Sequence, residues 1–172
     1  MASPAHADER RGFHKINMKI SDSIKTAGKE QVYHVIFSTY KRKEILLNRD
    51  IKREVSIWIK ETCKQYNIKY YIYNILTDHV HLLLQKKKNQ LLPQILQLIK
   101  GTTTYNFFQK YPDFALDLKR KRLWTHGYCA VEIKDKRQYT NTANYIKNNR
   151  DRYKDEIKFL GKAPGFMPVG DL

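Results

Sequence analysis

Apolar and polar positions alternate along the chain in two distinct rhythms. Tyr33 to Thr39 is short, β-branched and aromatic, and gives way to the basic cluster Lys41, Arg42 and Lys43; it predicts a first strand. From Asp50, Ile51, Val55, Trp58, Ile59 and Cys63 recur at helical spacing, predicting an amphipathic helix that ends near Asn67. Ile68 to Leu76 reads as a second strand. After a turn at Thr77 and Asp78, His79 to Gln85 reads as a third, antiparallel to the second and closed by Lys86, Lys87 and Lys88. Leu92, Ile95, Leu96 and Ile99 mark a second helix, with Pro93 in its first turn and Gly101 weakening its middle on the way to Phe108. Tyr111 to Arg122 reads as a loop, Leu123 to Ile133 as a fourth strand, and Gln138 to Arg152 as a third helix.

The order strand, helix, strand, strand, helix, strand, helix describes an α+β fold. Its first six elements form a ferredoxin-like, split βαβ sandwich with a four-stranded antiparallel sheet. Two helices would cover one face, and the closing helix would lie near the other. At 172 residues the chain suits one compact domain. We expect that domain over 31–155, a flexible extension over 1–30, and a tail over 156–172 rich in Pro and Gly.

Composition sharpens the functional class. Hydrophobic residues make up 41%, a globular value, while 33 Lys+Arg against 17 Asp+Glu give a net charge of +16. Such a surplus repels itself in a compact state, so a polyanionic partner accounts for it. No apolar run approaches the roughly 20 residues of a membrane span, and the basic residues are not gathered on one amphipathic helix, so nucleic acid is favoured over membrane. Cys63 and Cys129 match no metal or redox spacing and read as reduced thiols of a cytoplasmic protein. The stretch from Met1 to Gly12 has no apolar core and does not read as a secretory signal.

The tripeptide His79-Val80-His81 holds the clearest chemistry. On a strand, His79 and His81 share one face, about 7 Å apart at the backbone, while Val80, Leu82 and Leu84 point to the other. Two imidazoles on one face could hold a metal ion; the same pattern also fits one packed and one solvated histidine. In the last helix, Tyr145 and Asn149 are four apart and therefore neighbours, beside a docking stripe of Thr142, Ala143 and Ile146. They could supply a phenol and an amide oxygen to the histidine face, or simply face solvent. Three basic clusters could track a phosphate backbone: Lys41, Arg42 and Lys43; Lys86, Lys87 and Lys88; Lys119, Arg120, Lys121 and Arg122. Trp124 and Tyr128 could stack on unpaired bases. Each cluster fits a solvated surface equally, and Trp124 fits the core.

Taken in order, YHVIFSTYKRKEIL, HVHLLL, IKGTTTYNFF, LWTHGYCAVEI and YIKNN resemble the single-tyrosine HUH transposases, comprising insertion-sequence and REP-associated tyrosine transposases. The resemblance spans Tyr33 to Arg152. It implies that His79 and His81 are the metal-binding histidines, that Tyr145 is the nucleophile ahead of Tyr139 or Tyr153, and that Asn149 is the third ligand. REP-associated members often follow this asparagine with proline, where this chain has Arg150, so the subgroup stays open. It further implies cleavage and rejoining of hairpin-bearing single-stranded DNA through a 5′-phosphotyrosine. Mg²⁺ is the expected ion, with Mn²⁺ competent, and the expected assembly is a homodimer or monomer at the nucleoid. Two rival readings remain: a nucleic-acid-binding module without catalysis, although no RNP1-like string is present, and a replication initiator or relaxase, which usually has more domains.

Overall fold

A computed structural model of the chain describes residues 30–118 and 121–160. Four strands form one antiparallel sheet: β1 (Gln31–Ser38), β2 (Lys69–Ile75), β3 (His79–Lys86) and β4 (Cys129–Ile133), in the spatial order β2-β3-β1-β4. The helices are α1 (Arg49–Gln65), α2 (Leu92–Lys110), a single turn α3 (Phe114–Asp117) within the expected loop, and α4 (Lys136–Leu160). This is the expected ferredoxin-like α+β sandwich.

Each strand exposes its alternation to two different environments. Tyr33, Val35 and Phe37 of β1 and Val80, Leu82 and Leu84 of β3 are buried with Val55, Ile59, Ile95, Leu96 and Ile99 of α1 and α2. On the opposite face lie His34, Ile36, His81 and Leu83, and α4 packs there against β2 and β3. α4 is held by Ile146, fully buried, by a 3.0 Å bond from Asn74 Nδ2 to the Ile146 carbonyl, and by edge-to-face contact of Tyr139 with Tyr71.

Local chemistry sets the element ends. Asn48 caps α1, its side chain accepting from the backbone N–H groups of Asp50 and Ile51. Asp135 starts α4 by accepting from the Gln138 N–H, while the Gln138 amide accepts from Lys134 N–H. α4 therefore begins before Gln138 and runs past Arg152 to Leu160, beyond the expected domain end at residue 155. α2 runs unbroken through Gly101 because Ile99, Thr103 and Phe107 are all fully buried on its inner face, and that packing outweighs one glycine.

The fourth strand needs correction. Only Cys129–Ile133 pair with β1; Leu123 to Tyr128 do not, apart from one bridge between Trp124 and Thr39. The Lys100 ammonium of α2 explains the break. It donates to the carbonyls of Thr125 (2.5 Å), His126 (3.0 Å) and Gly127 (3.1 Å), drawing this segment out of the sheet.

Trp124 is also corrected. It is 5% exposed, packs edge-to-face on Phe37, and donates its Nε1–H to Thr103 Oγ1 at 2.8 Å. It is a core residue, not a base-stacking platform. Trp124→Phe should lower the stability to unfolding by about 1–2 kcal/mol through loss of that buried hydrogen bond, read as a lower urea midpoint with an unchanged slope.

Candidate active site

β3 begins at His79, directly after the Thr77–Asp78 turn, and its pairing with β1 and β2 places every candidate group. Ile36 and Asn74 lie opposite His81 on either side, and His34 lies opposite Leu83, one residue pair further along β1. His34, Asn74 and His81 therefore share the face that α4 covers. The Nε2 atoms of His79 and His81 converge to 3.1 Å. Asn149 Nδ2 lies 3.3 Å from His81 Nε2, and the Tyr145 ring stands edge-on to His81 with centroids 5.7 Å apart. A small cleft of about 240 Å³ opens beside Tyr145, lined also by Asn141, Asn144 and Asn148. The structure thus brings together His79, His81, Tyr145 and Asn149 from two distant segments.

Three further residues were not foreseen as parts of this site: His34, Asp78 and, in this role, Arg42. His34 Nε2 lies 2.9 Å from His81 Nδ1, and the two rings stack. Asp78 accepts from His79 Nδ1 and is paired on its other oxygen with Arg42 Nε at 2.9 Å. Arg42 also donates to Ser38 Oγ, and reaches both partners from a left-handed backbone, with φ 52 following Lys41 at φ 54. A signal for His34 was present: it occupies an outward position of β1. Its meeting with His81 depends on a cross-strand register that spacing alone does not reveal.

Two proton arrangements are open to this chain of rings. His34 can donate to His81 and His81 to His79. In the reverse arrangement, His81 Nδ1–H donates to His34 while His79 Nδ1–H donates to Asp78, and both Nε2 lone pairs face each other. Two lone pairs at 3.1 Å repel unless a cation lies between them, and two ligands at right angles around an octahedral ion are about 3 Å apart. The donor set therefore fits a divalent cation. Among the described residues, no group of three or more His, Cys, Asp or Glu side chains could hold a metal, so completion of the shell would fall to the Asn149 amide, turned to present its oxygen, and to substrate oxygens.

The electrostatics favour neutral rings. Burial lowers His34 to about 4; burial, then the charges of His79, His34 and Arg42, hold His81 well below its ordinary value. Burial pushes Asp78 up, but the hydrogen bond and charge of His79 and the charge and hydrogen bond of Arg42 outweigh it, and its pKa is lowered overall.

The basic clusters divide. Lys41, Arg42 and Lys43 are exposed at the site end of β1, although Arg42 is engaged with Asp78 and Lys43 Nζ donates to the Asp117 carbonyl. Lys121 and Arg122 follow on nearby chain, with the Arg122 guanidinium 5.9 Å from the Tyr40 ring centroid. Lys119 and Arg120 lie outside the described residues. Lys86 is corrected: it is 1% exposed and, with half-buried Lys87 and exposed Lys88, sits at the far end of β3, roughly 23 Å of strand from His79. Tyr128 is half-buried against the core, which raises its phenol pKa. The alternative nucleophile Tyr139 packs on Tyr71, and Tyr153 falls outside the described side chains. Cys63 and Cys129 are free thiols, the first buried.

A family model described as Transposase IS200 like matches residues 28–149, a span from before β1 to Asn149. The chain belongs to the IS200-like transposase family. The ISDra2 transposase TnpA of Deinococcus radiodurans is 23% identical over 120 residues, covering 70% of this transposase and 84% of that protein. A crystal structure of a putative transposase from Deinococcus radiodurans R1 superposes with a TM-score of 0.56 at 21% identity, covering 70% of this chain and 91% of that one. A REP-associated tyrosine transposase bound to a REP hairpin superposes with a TM-score of 0.55 at 15% identity, over 74% and 69% of the two chains. These likenesses agree with the fold and with the family read from the ordered motifs. No helix among the described residues is long and apolar enough to cross a membrane.

The lowered histidine values fix a pH dependence. Below about 6.5 the unfolded chain takes up protons that the folded His34 and His81 refuse, so stability falls as pH drops from about 6.5 towards 4 and is flat in this respect above it. We expect a loss of roughly 2–3 kcal/mol between pH 7 and pH 4 from His34. Urea midpoints measured across that range should show a shallower slope for His34→Gln.

Proposed function

We propose that this transposase is a metal-dependent endonuclease and strand transferase for single-stranded DNA, working through a covalent 5′-phosphotyrosine. One observation carries the reading: the Tyr145 ring lies against His81, whose Nε2 meets that of His79, with Asn149 one helical turn further on. Family membership supports DNA as substrate, and the REP hairpin held by a structural relative supports hairpin-bearing DNA as the form recognised.

In this reading, His79, His81 and Asn149 would hold Mg²⁺, or Mn²⁺ in its place. The ion would supply Lewis-acid polarisation of the scissile phosphate. Asp78 holds the His79 ring with its Nε2 turned inward, and His34 does the same for His81. The phenol of Tyr145, with an ordinary pKa near 10, must lose its proton to attack. Its oxygen bonds to phosphorus and the 3′-oxygen of the upstream nucleotide leaves, taking up a proton. The phosphodiester lost is replaced by a phosphotyrosine ester, so a second 3′-hydroxyl can reverse the step on another strand without a nucleotide cofactor. Tyr145 lies beside the histidines of its own chain, so this chemistry does not require a homodimer, although the family resemblance implies one. The workplace would be the nucleoid.

Incubation of the protein with hairpin-bearing single-stranded DNA and Mn²⁺ should give an adduct that survives denaturing electrophoresis. Tyr145→Phe and chelator should abolish it, and His79→Ala or His81→Ala should lower its rate by about 100-fold or more. Adduct lost in Tyr139→Phe but retained in Tyr145→Phe would transfer the nucleophile. Tight binding with no adduct under any divalent metal would favour a binding module.

A further inference from the structure

α1 presents a second basic surface that none of the three lysine and arginine clusters includes. Arg49, Lys52, Ser56 and Lys60 follow one another at steps of three or four residues, and Arg53, four residues from Arg49 and three from Ser56, widens the stripe. The stripe borders a cleft of about 710 Å³ whose opposite wall includes Tyr73 of β2 and, at its end, Thr77. Ser56 Oγ and Tyr73 Oη are 2.7 Å apart, and Lys60 Nζ lies 5.8 Å from the Tyr73 ring centroid, so hydroxyls, a ring and cations share one trough. Of the nearby carboxylates, Asp50 reaches Arg53 only at 3.5 Å and is largely exposed, Glu44 accepts from Thr77, and Glu54 is taken by Lys110. Among the described residues, the cleft is lined by three cationic side chains and no carboxylate. Thr77 is followed directly by Asp78 and His79, so the cleft opens on the turn that leads into the imidazole pair.

We propose that the α1–β2 cleft seats backbone phosphates of the DNA strand flanking the cleavage point. Arg49, Lys52 and Arg53 pair with successive phosphates, and Tyr73, held by Ser56 and packed against the core, forms the opposite wall. The strand then turns round Thr77 to reach Tyr145. The chemistry recognised is a run of phosphodiesters on an unpaired strand, since the guanidinium and ammonium groups of Arg49, Lys52 and Arg53 give the lining its charge. This inference rests on the DNA-cleaving reading above for its ligand, but its residues are separate from those of the reaction.

The test is the salt dependence of binding by the full-length protein to a fluorescently labelled hairpin oligonucleotide with single-stranded flanks, with and without those flanks. For Arg49→Gln/Lys52→Gln/Arg53→Gln, the slope of log Kd against log salt should fall by about 2 and the affinity at 0.1 M salt by about 100-fold. Removing the flanks should weaken the parent protein and leave the triple variant nearly unchanged. A control losing equal charge at the exposed positions Lys64, Lys136 and Arg137 should keep the parent slope. The double variant Arg49→Gln/Arg53→Gln, expected to lose about 1.4 of slope, keeps the test open if the triple variant melts early. An unchanged slope, or an equal fall in the control, overturns the proposal. Adduct formation by the parent with an unchanged slope in the variants sinks the cleft alone. A reduced slope in a protein that never forms an adduct sinks the cleavage reading and leaves the cleft standing.

Discussion

The two-sided alternation of β3 governs the molecule. Val80, Leu82 and Leu84 are completely buried against the helices, while His79, His81 and Leu83 face α4. A slip of one residue would drive both imidazoles into the hydrocarbon core and turn Val80, Leu82 and Leu84 towards the tyrosine helix. β3 is bonded along both edges, to β1 and to β2, so its register is set twice. The sheet thus sets which face the two imidazoles share, and Asp78 and His34 fix the ring orientations that bring the Nε2 atoms to 3.1 Å.

Around that strand, ordinary structural parts are turned to the service of the rings. Lys41 and Arg42 adopt left-handed backbone conformations, each costing of order 1 kcal/mol for a non-glycine residue. In exchange the Arg42 guanidinium reaches Asp78, which orients His79. An arginine that sequence places among phosphate contacts is thereby committed to supporting an imidazole. On the other side His34 performs the matching task for His81. Both histidines of the pair are braced on the nitrogen that faces away from the site.

The elements visible in sequence were those with a strong local period: β1, α1, β2, β3 and the seam of α2. The fourth strand was overextended because Leu123 to Tyr128 have the composition of a strand, while the Lys100 grip on three carbonyls comes from a helix more than twenty residues earlier. Similarly, His79 with His81 and Tyr145 with Asn149 were legible as same-face pairs within one element. His34 and Asp78 were not, since one acts across a strand pairing and the other from the turn residue just before the strand. Trp124 misled through its neighbours: beside four basic residues it suggests a base platform, but its indole nitrogen finds Thr103 in the core. Lys86 misled likewise: its cluster places it at the end of β3 away from His79, but a run of lysines gives no sign that the first of them is buried.

Tyr145 and Asn149 ride on one rigid rod, seated on the sheet by Ile146 and by the bond from Asn74. They cannot be withdrawn separately. Were the rod to lift, the proposed ion would lose a ligand at the same moment that the phosphate lost its attacker. By reciprocity, whatever tightens the ion's grip on Asn149 must press the whole rod down by the same free energy. In the proposed chemistry, occupancy of the cation and readiness of the phenol would therefore rise and fall together.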